Sequence, residues 1–315
     1  MNSTAHEFRR VVEVEMGNAP DEIELDRIQR FSLKKPASDK LGWCLYKGRV
    51  GFYGDHRQGI TLVWTARDDR ALTLAQRQRR SDDMQRARLD AAAAQARRCK
   101  DAAVKNAALL ATTFPLTNGD PVTRYLASRH LELNTWPPAL RCHPNLAYWS
   151  LGKLIGYFPA MVGAVTDVGG QLVSLHRTYL TPDGKKADVE IVKKLTAASA
   201  PLAGCSIKLA YPGDCGGVWT LAVAEGIETA LACIQASAMP TVSAVSASGL
   251  ERYCWPEGVQ SLIVFADNDA SQVGQRAGAA LARRANSSGL CARLLTPPDP
   301  GLDWADVWAA HAGVR

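Results

Sequence analysis

No stretch of the 315 residues stays apolar long enough to span a bilayer. The opening Met1-Asn-Ser-Thr-Ala-His-Glu-Phe-Arg-Arg lacks the charged-then-apolar order of a secretory signal. No membrane partner is expected, and a cytoplasmic location is. Eight cysteines (44, 99, 142, 205, 215, 233, 254, 291) are scattered, none in the Cys-x-x-Cys type of pair that a structural zinc site usually needs. No zinc is therefore expected, and the thiols read as reduced, mostly buried groups. There is no internal repeat and no Walker-type phosphate loop, which argues against a built-in ATPase or helicase motor. Neither Pro nor Gly occurs from Arg67 to Thr113, where Ala, Arg, Gln, Asp and Leu dominate. That absence predicts a long helix or a helical pair. Its Arg77, Arg79, Arg80, Arg86, Arg88, Arg97 and Arg98 could follow phosphates, or simply solvate a spacer helix.

What is present suits a soluble globular chain of two or three domains: 47% hydrophobic and 22% charged residues, net charge +6. The charge is uneven. Residues 1–66 carry +1, 67–115 carry +5, 116–215 carry +3 and 216–315 carry −3. An acidic terminal part beside a basic remainder suits a chain in which one part holds metal and another a polyanion.

These four stretches also differ in pattern. Residues 1–66 predict a small β-rich module, with strands at Gly42-Trp-Cys-Leu-Tyr, Arg49-Val-Gly-Phe-Tyr-Gly and Ile60-Thr-Leu-Val-Trp64, and a turn at Asp55-His-Arg-Gln-Gly59. Its Trp43, Tyr46, Phe52, Tyr53 and Trp64 are candidates for stacking bases, or for the core of a small sheet. Residues 67–115 form the basic helical linker. Residues 116–215 predict an α+β unit with a short helix near 122–129 and strands at 160–165, 172–175 and 207–210. Residues 216–315 alternate strand (218–224, 241–245, 260–266, 292–295) with helix (226–238, 272–287, 304–311), the order of a parallel sheet with right-handed crossovers.

Two of those strands end abruptly in carboxylates: Val223-Ala-Glu225-Gly and Ile263-Val-Phe-Ala-Asp267-Asn-Asp269. Ligands of parallel α/β sheets sit beyond the carboxyl ends of the strands, so Glu225, Asp267 and Asp269 should gather at one edge. A like-charged pair about 4 Å apart costs about 4 kcal/mol at an effective dielectric near 20. A cation relieves that cost, and an all-oxygen site favours Mg²⁺ or Mn²⁺. Asp267 and Asp269, two apart, should share a face of the strand end. Two plainer readings stand beside this one: a polar strand end without an ion, and an Asp acting as a helix N-cap. Glu228 reads as a partner of its helix dipole, and Asp303 either as a further metal corner or as the cap of the last helix. In the basic middle unit Arg141, His176, Arg177, Lys185, Lys186, Lys193, Lys194 and Lys208 could line a groove for triphosphate and template backbone. His176-Arg177 is the leading phosphate contact. Lys185 and Lys186 read equally well as a solvated turn, and a lone histidine as structural.

The strand–Glu-Gly–helix followed by Asp-x-Asp resembles the Toprim domain of bacterial primases, topoisomerases, some nucleases and recombination mediators. Ala266-Asp-Asn-Asp269 with Gly274-Gln-Arg-Ala, Asp303-Trp-Ala-Asp306, Leu140-Arg-Cys-His-Pro144, Phe158-Pro-Ala-Met161 and the run from Leu175 to Lys185 are similar to the Toprim primases of conjugative plasmids, integrated elements and phages. The resemblance spans about residues 22 to 310. It implies a C-terminal Toprim parallel sheet flanked by helices. It also implies a nucleotidyltransferase that makes short RNA primers from ribonucleoside triphosphates on single-stranded DNA, with a helicase or replication protein as a partner in trans. Two modules common among such primases, a zinc-binding unit and a fused helicase, have no counterpart in these residues. A Toprim nuclease or strand-transferase, and a non-catalytic single-stranded-DNA-binding protein, are the alternatives.

Overall fold

The computed structural model describes residues 3–33, 40–55, 60–66 and 74–312, which divide into two compact units, Met1–Asp90 and Ala91–Arg315. The expected turn at 56–59, and the side chains of Arg77, Arg79 and Arg80, lie outside the described residues.

The first unit holds helix α1 (Ser3–Met16) and an antiparallel sheet in the order β1 (Ile28–Phe31), β2 (Gly42–Lys47), β3 (Val50–Asp55), β4 (Ile60–Thr65). The β-rich reading holds, but α1 went unforeseen, because Val11-Val-Glu-Val-Glu15 alternates like a strand. Its Phe8 is fully buried, 5.5 Å from the Tyr46 ring and 5.9 Å from that of Tyr53. Gly51 makes room: a Cβ there would lie 2.1 Å from the Phe8 ring. Tyr46 and Tyr53, each 3% exposed, are thus core residues.

Helix α2 (Leu74–Ala111) occupies most of the Pro- and Gly-free stretch. Arg86, Arg88, Arg97 and Arg98 stand in solvent. Near its end Asn106 is buried and donates to the carbonyls of Val173 (3.2 Å) and Ala197 (2.9 Å).

The second unit continues with β5 (Phe114–Pro115), α3 (Pro121–Ala127), β6 (Leu140–Ser150), β7 (Lys153–Thr166), β8 (Leu172–Tyr179), β9 (Lys193–Leu195) and β10 (Ser206–Ile207). It ends with β11 (Gly213–Asp214), β12 (Trp219–Ala224), α4 (Ile227–Ser237), β13 (Thr241–Ser243), α5 (Ala247–Arg252), β14 (Ser261–Phe265), α6 (Val273–Ser287), β15 (Cys291–Leu295) and α7 (Trp304–Ala312). α3 starts where the chain provides a cap: Asp120 accepts from the N–H groups of Val122 and Thr123, both at 2.8 Å, with Pro121 at the first helical position. Strands β13, β12, β14 and β15 pair in parallel, as the alternation implies. The middle strands pair antiparallel, and two-residue β10 joins the sets by pairing with both β13 and β7. One 11-stranded sheet results. β6 and β7 run far beyond the strand expected at 160–165. Pro144 falls within a register shift of that pair and Pro159 lies opposite it, the kind of site where a sheet tolerates proline.

Candidate metal and nucleotide site

β12 ends at Ala224, and Glu225-Gly226 turns the chain into α4. The turn is held from the next strand, where the Ser243 hydroxyl donates to the Glu225 carbonyl at 3.0 Å. β14 ends at Phe265, followed by a loop that Asn268 anchors through its side chain on the Pro297 carbonyl (2.9 Å) and its N–H on the Leu302 carbonyl (3.0 Å). The two carboxylate ends meet over Gly274 of α6: a Cβ there would stand 3.5 Å from both Glu225 Oε2 and the Asp267 carbonyl.

Glu225, Asp267 and Asp303 line one cleft of about 240 Å³ with Tyr125, Arg129, His176, Lys186, Lys193 and Glu228. Burial, then the charges of Glu225, Asp303, Asp269 and Asp306, push the Asp267 carboxyl up to about 7. Its Oδ1 is buried without a hydrogen-bond partner. Burial also raises Glu225, against the Ala247 N–H and with the charge of Asp269. Asp303 is raised by burial too. It accepts from the Asp306 N–H at 2.7 Å, so it caps α7 as well as lining the cleft.

The shared face expected of Asp267 and Asp269 does not follow from the pleat. The strand stops two residues before Asp267, so pleat alternation does not reach the pair. Asp269 instead accepts from the Ser271 hydroxyl at 2.6 Å, close enough for its charge to be felt by Glu225 and Asp267. Among the described residues no group of three or more His, Cys, Asp or Glu is already drawn together as an ion cage. The donors nonetheless fit a hard divalent cation. A buried, unpartnered carboxylate oxygen sits among carboxylates that raise each other's proton affinity, and all of the donors are oxygens.

The cleft's basic residues were only partly foreseen. Lys193 Nζ lies 2.9 Å from Glu228 Oε1 and donates to Oε2 at 3.0 Å, while the Tyr125 hydroxyl donates to Oε1 at 2.8 Å. Burial would raise the Glu228 carboxyl, but the Lys193 ammonium outweighs it and holds the group at about 2. Glu228 therefore does more than face its helix dipole: it fixes a lysine at the cleft. Arg129 reaches Asp306 at 3.4 Å. His176 is 8% exposed, burial lowers its pKa to about 4, and its Nδ1 has no partner. Gly163, across from His176 on β7, lets Ile207 and Ile227 close in; a Cβ there would stand 2.7 Å from Ile207 Cδ1.

The other basic candidates are engaged elsewhere. Arg141 donates to Thr113 at 2.6 and 2.8 Å and lines a separate cavity of about 1170 Å³. Arg177, on the other face of β8 from His176, donates to Tyr179 and to the Leu195 carbonyl. Lys185 pairs with Asp183 at 3.0 Å in an exposed turn. Lys194 donates to the Trp149 carbonyl over the Tyr148 ring, and Lys208 to the Val168 carbonyl. Tyr125 and Arg129 were missed. In the helix expected near 122–129 their i,i+4 spacing implies a shared face, although α3 ends before Arg129, and nothing local says what they meet.

Residues 100–206 match a domain family of unknown function, DUF7146, and residues 220–313 match the Toprim domain. No curated protein matches the chain. Among solved structures, it is similar to a DNA primase domain from Pseudomonas aeruginosa at 17% identity and TM-score 0.36, over 53% of this chain and 52% of that one. It thus spans about half the length of that domain. The primase fragment of the bacteriophage T7 primase-helicase is similar at 15% identity and TM-score 0.39, over 64% of this chain and 76% of that one. The Aquifex aeolicus primase, with its zinc-binding and RNA polymerase domains, is similar at 10% identity and TM-score 0.41, over 99% of this chain and 83% of that one. The carboxyl-terminal part of the chain, from β12 through α7, is a Toprim domain.

Proposed function

We propose that this chain is a primase, a nucleotidyltransferase that joins ribonucleoside triphosphates into short RNA primers on a single-stranded DNA template. One observation carries the reading: Glu225, Asp267 and Asp303 share a cleft with Lys186, Lys193 and Arg129. A cleft that carries both carboxylates and cations suits a substrate that is both metal-bound and polyanionic. Glu225 and Asp267 are the residues that would hold a divalent ion, with Asp269 and Asp303 beside them. Such an ion, Mg²⁺ or Mn²⁺, would supply a lowered pKa at the attacking 3′ hydroxyl and charge neutralisation at the leaving pyrophosphate. Lys193, held by Glu228, to which Tyr125 also donates, presents its ammonium to the triphosphate oxygens, with Lys186 and Arg129 alongside as further positive charge. A helicase or replication protein in trans and a role in mobile-element replication belong to the same reading, as does a place in the cytoplasm.

The test is primer synthesis with radiolabelled nucleotides on several single-stranded templates, in Mg²⁺ and in Mn²⁺. Asp267→Asn should reduce synthesis at least a hundredfold, roughly the loss of one main transition-state contact, and leave DNA binding within about twofold. Unchanged synthesis in Asp267→Asn and Glu225→Gln would remove the mechanism. Cleavage of labelled DNA without nucleotides would move the same carboxylates to a nuclease.

A further inference from the structure

We infer that His176 reads a sugar hydroxyl of the nucleotide bound in the cleft, which makes it a specificity residue for ribonucleotides. The inference rests on the nucleotide-binding reading of that cleft and adds to it the chemistry of recognition. His176 is 8% exposed and lines the cleft, and its Nδ1 is buried without a hydrogen-bond partner. A buried ring nitrogen left without a partner is costly, so the position points to a group that arrives with the ligand.

The surroundings say which group. Lys193 and Arg177 lie close enough for their charges to add to burial in disfavouring the imidazolium, and only Glu228 opposes them. The ring is therefore neutral in the cell's pH range and adds no positive charge against a triphosphate. Lys186, Lys193 and Arg129 already supply that charge in the same cleft. A neutral imidazole keeps a lone pair on one ring nitrogen, which can accept from a sugar hydroxyl, whereas an ionised phosphate oxygen has no proton to give it.

Equilibrium binding of ATP, 2′-deoxy-ATP and 3′-deoxy-ATP in Mg²⁺, measured by calorimetry on the full chain, tests the inference. The wild type should bind ATP roughly tenfold more tightly than one of the two deoxy analogues, about one hydrogen bond's difference, and the weaker analogue names the hydroxyl. His176→Phe keeps the ring and removes both nitrogens. It should weaken ATP roughly tenfold, leave that analogue unchanged and abolish the discrimination, whereas His176→Gln should retain part of it. Unfolding curves that overlay the wild type establish that the variants are folded. Equal binding of all three nucleotides by the wild type, binding of none, or an equal loss for all three in His176→Phe overturns the inference. Intact discrimination in a protein that makes no primers would leave the sugar contact standing and remove the primase reading.

Discussion

Asp267 is where pH should act on the protein without metal. Its folded carboxyl sits at about 7 against an ordinary 3.8, so between those values the unfolded chain has released a proton that the folded one retains. Stability then falls as pH rises from about 4 through about 7. Chemical denaturation in chelator at pH 5 and pH 8 should show that fall, and Asp267→Asn should flatten it. Mg²⁺ should raise the melting temperature of the wild type at pH 8 and leave the variant unmoved, since a ligand stabilises only the state that binds it. The Glu228–Lys193 pair makes a different prediction. Glu228's side chain is 8% exposed and Lys193's 42%, so the loss depends on which partner goes. Lys193→Met strands a buried carboxylate and should cost about 3 kcal/mol; Glu228→Gln leaves a solvated ammonium and should cost about 1 kcal/mol. A urea midpoint series checks the order. Glu225 and Asp267 were legible because each follows an apolar run that stops at a carboxylate. The Tyr125 bond to Glu228 was not, because it joins residues 103 apart in the chain, and no local pattern encodes such a meeting.

At the scale of elements, α5 supports the acidic edge, since its first N–H, that of Ala247, reaches the Glu225 carboxyl. Ser246 caps the helix by accepting from the Gly249 N–H. A Cβ on Gly249 would stand 2.0 Å from the Ala244 carbonyl oxygen, a backbone atom that cannot step aside. Gly249→Ala should therefore displace α5, destabilise the protein by about 1–3 kcal/mol and weaken Mg²⁺ binding, measured together by calorimetric titration and thermal melts. The strands of the Toprim part were placed within a few residues because buried parallel strands read as continuous apolar runs bounded by turns. α5, six residues long, has too little periodicity to be seen. β6 was not assigned as a strand, because its one proline is tolerated by a register shift that only the paired structure reveals.

For the whole molecule, the cores are separate. Phe8, Val12, Tyr46 and Tyr53 belong to one cluster within residues 1–90, while the other clusters lie within 91–315. Differential scanning calorimetry should resolve two transitions, and removing residues 1–90 should delete one of them and leave the Mg²⁺ response of the other. A single transition that tracks the full chain would contradict this. Within the second unit, β10 has a consequence for function. Ile207 pairs with Ser243 on one side and Val165 on the other, while Ser206 pairs only with Thr166, so a single residue carries the ladder from the parallel strands to the antiparallel ones. The strand is thus a vernier: a slip of one residue there would slide one wall along the other by about 3.3 Å, enough to part an ammonium from its carboxylate and leave every individual fold element intact.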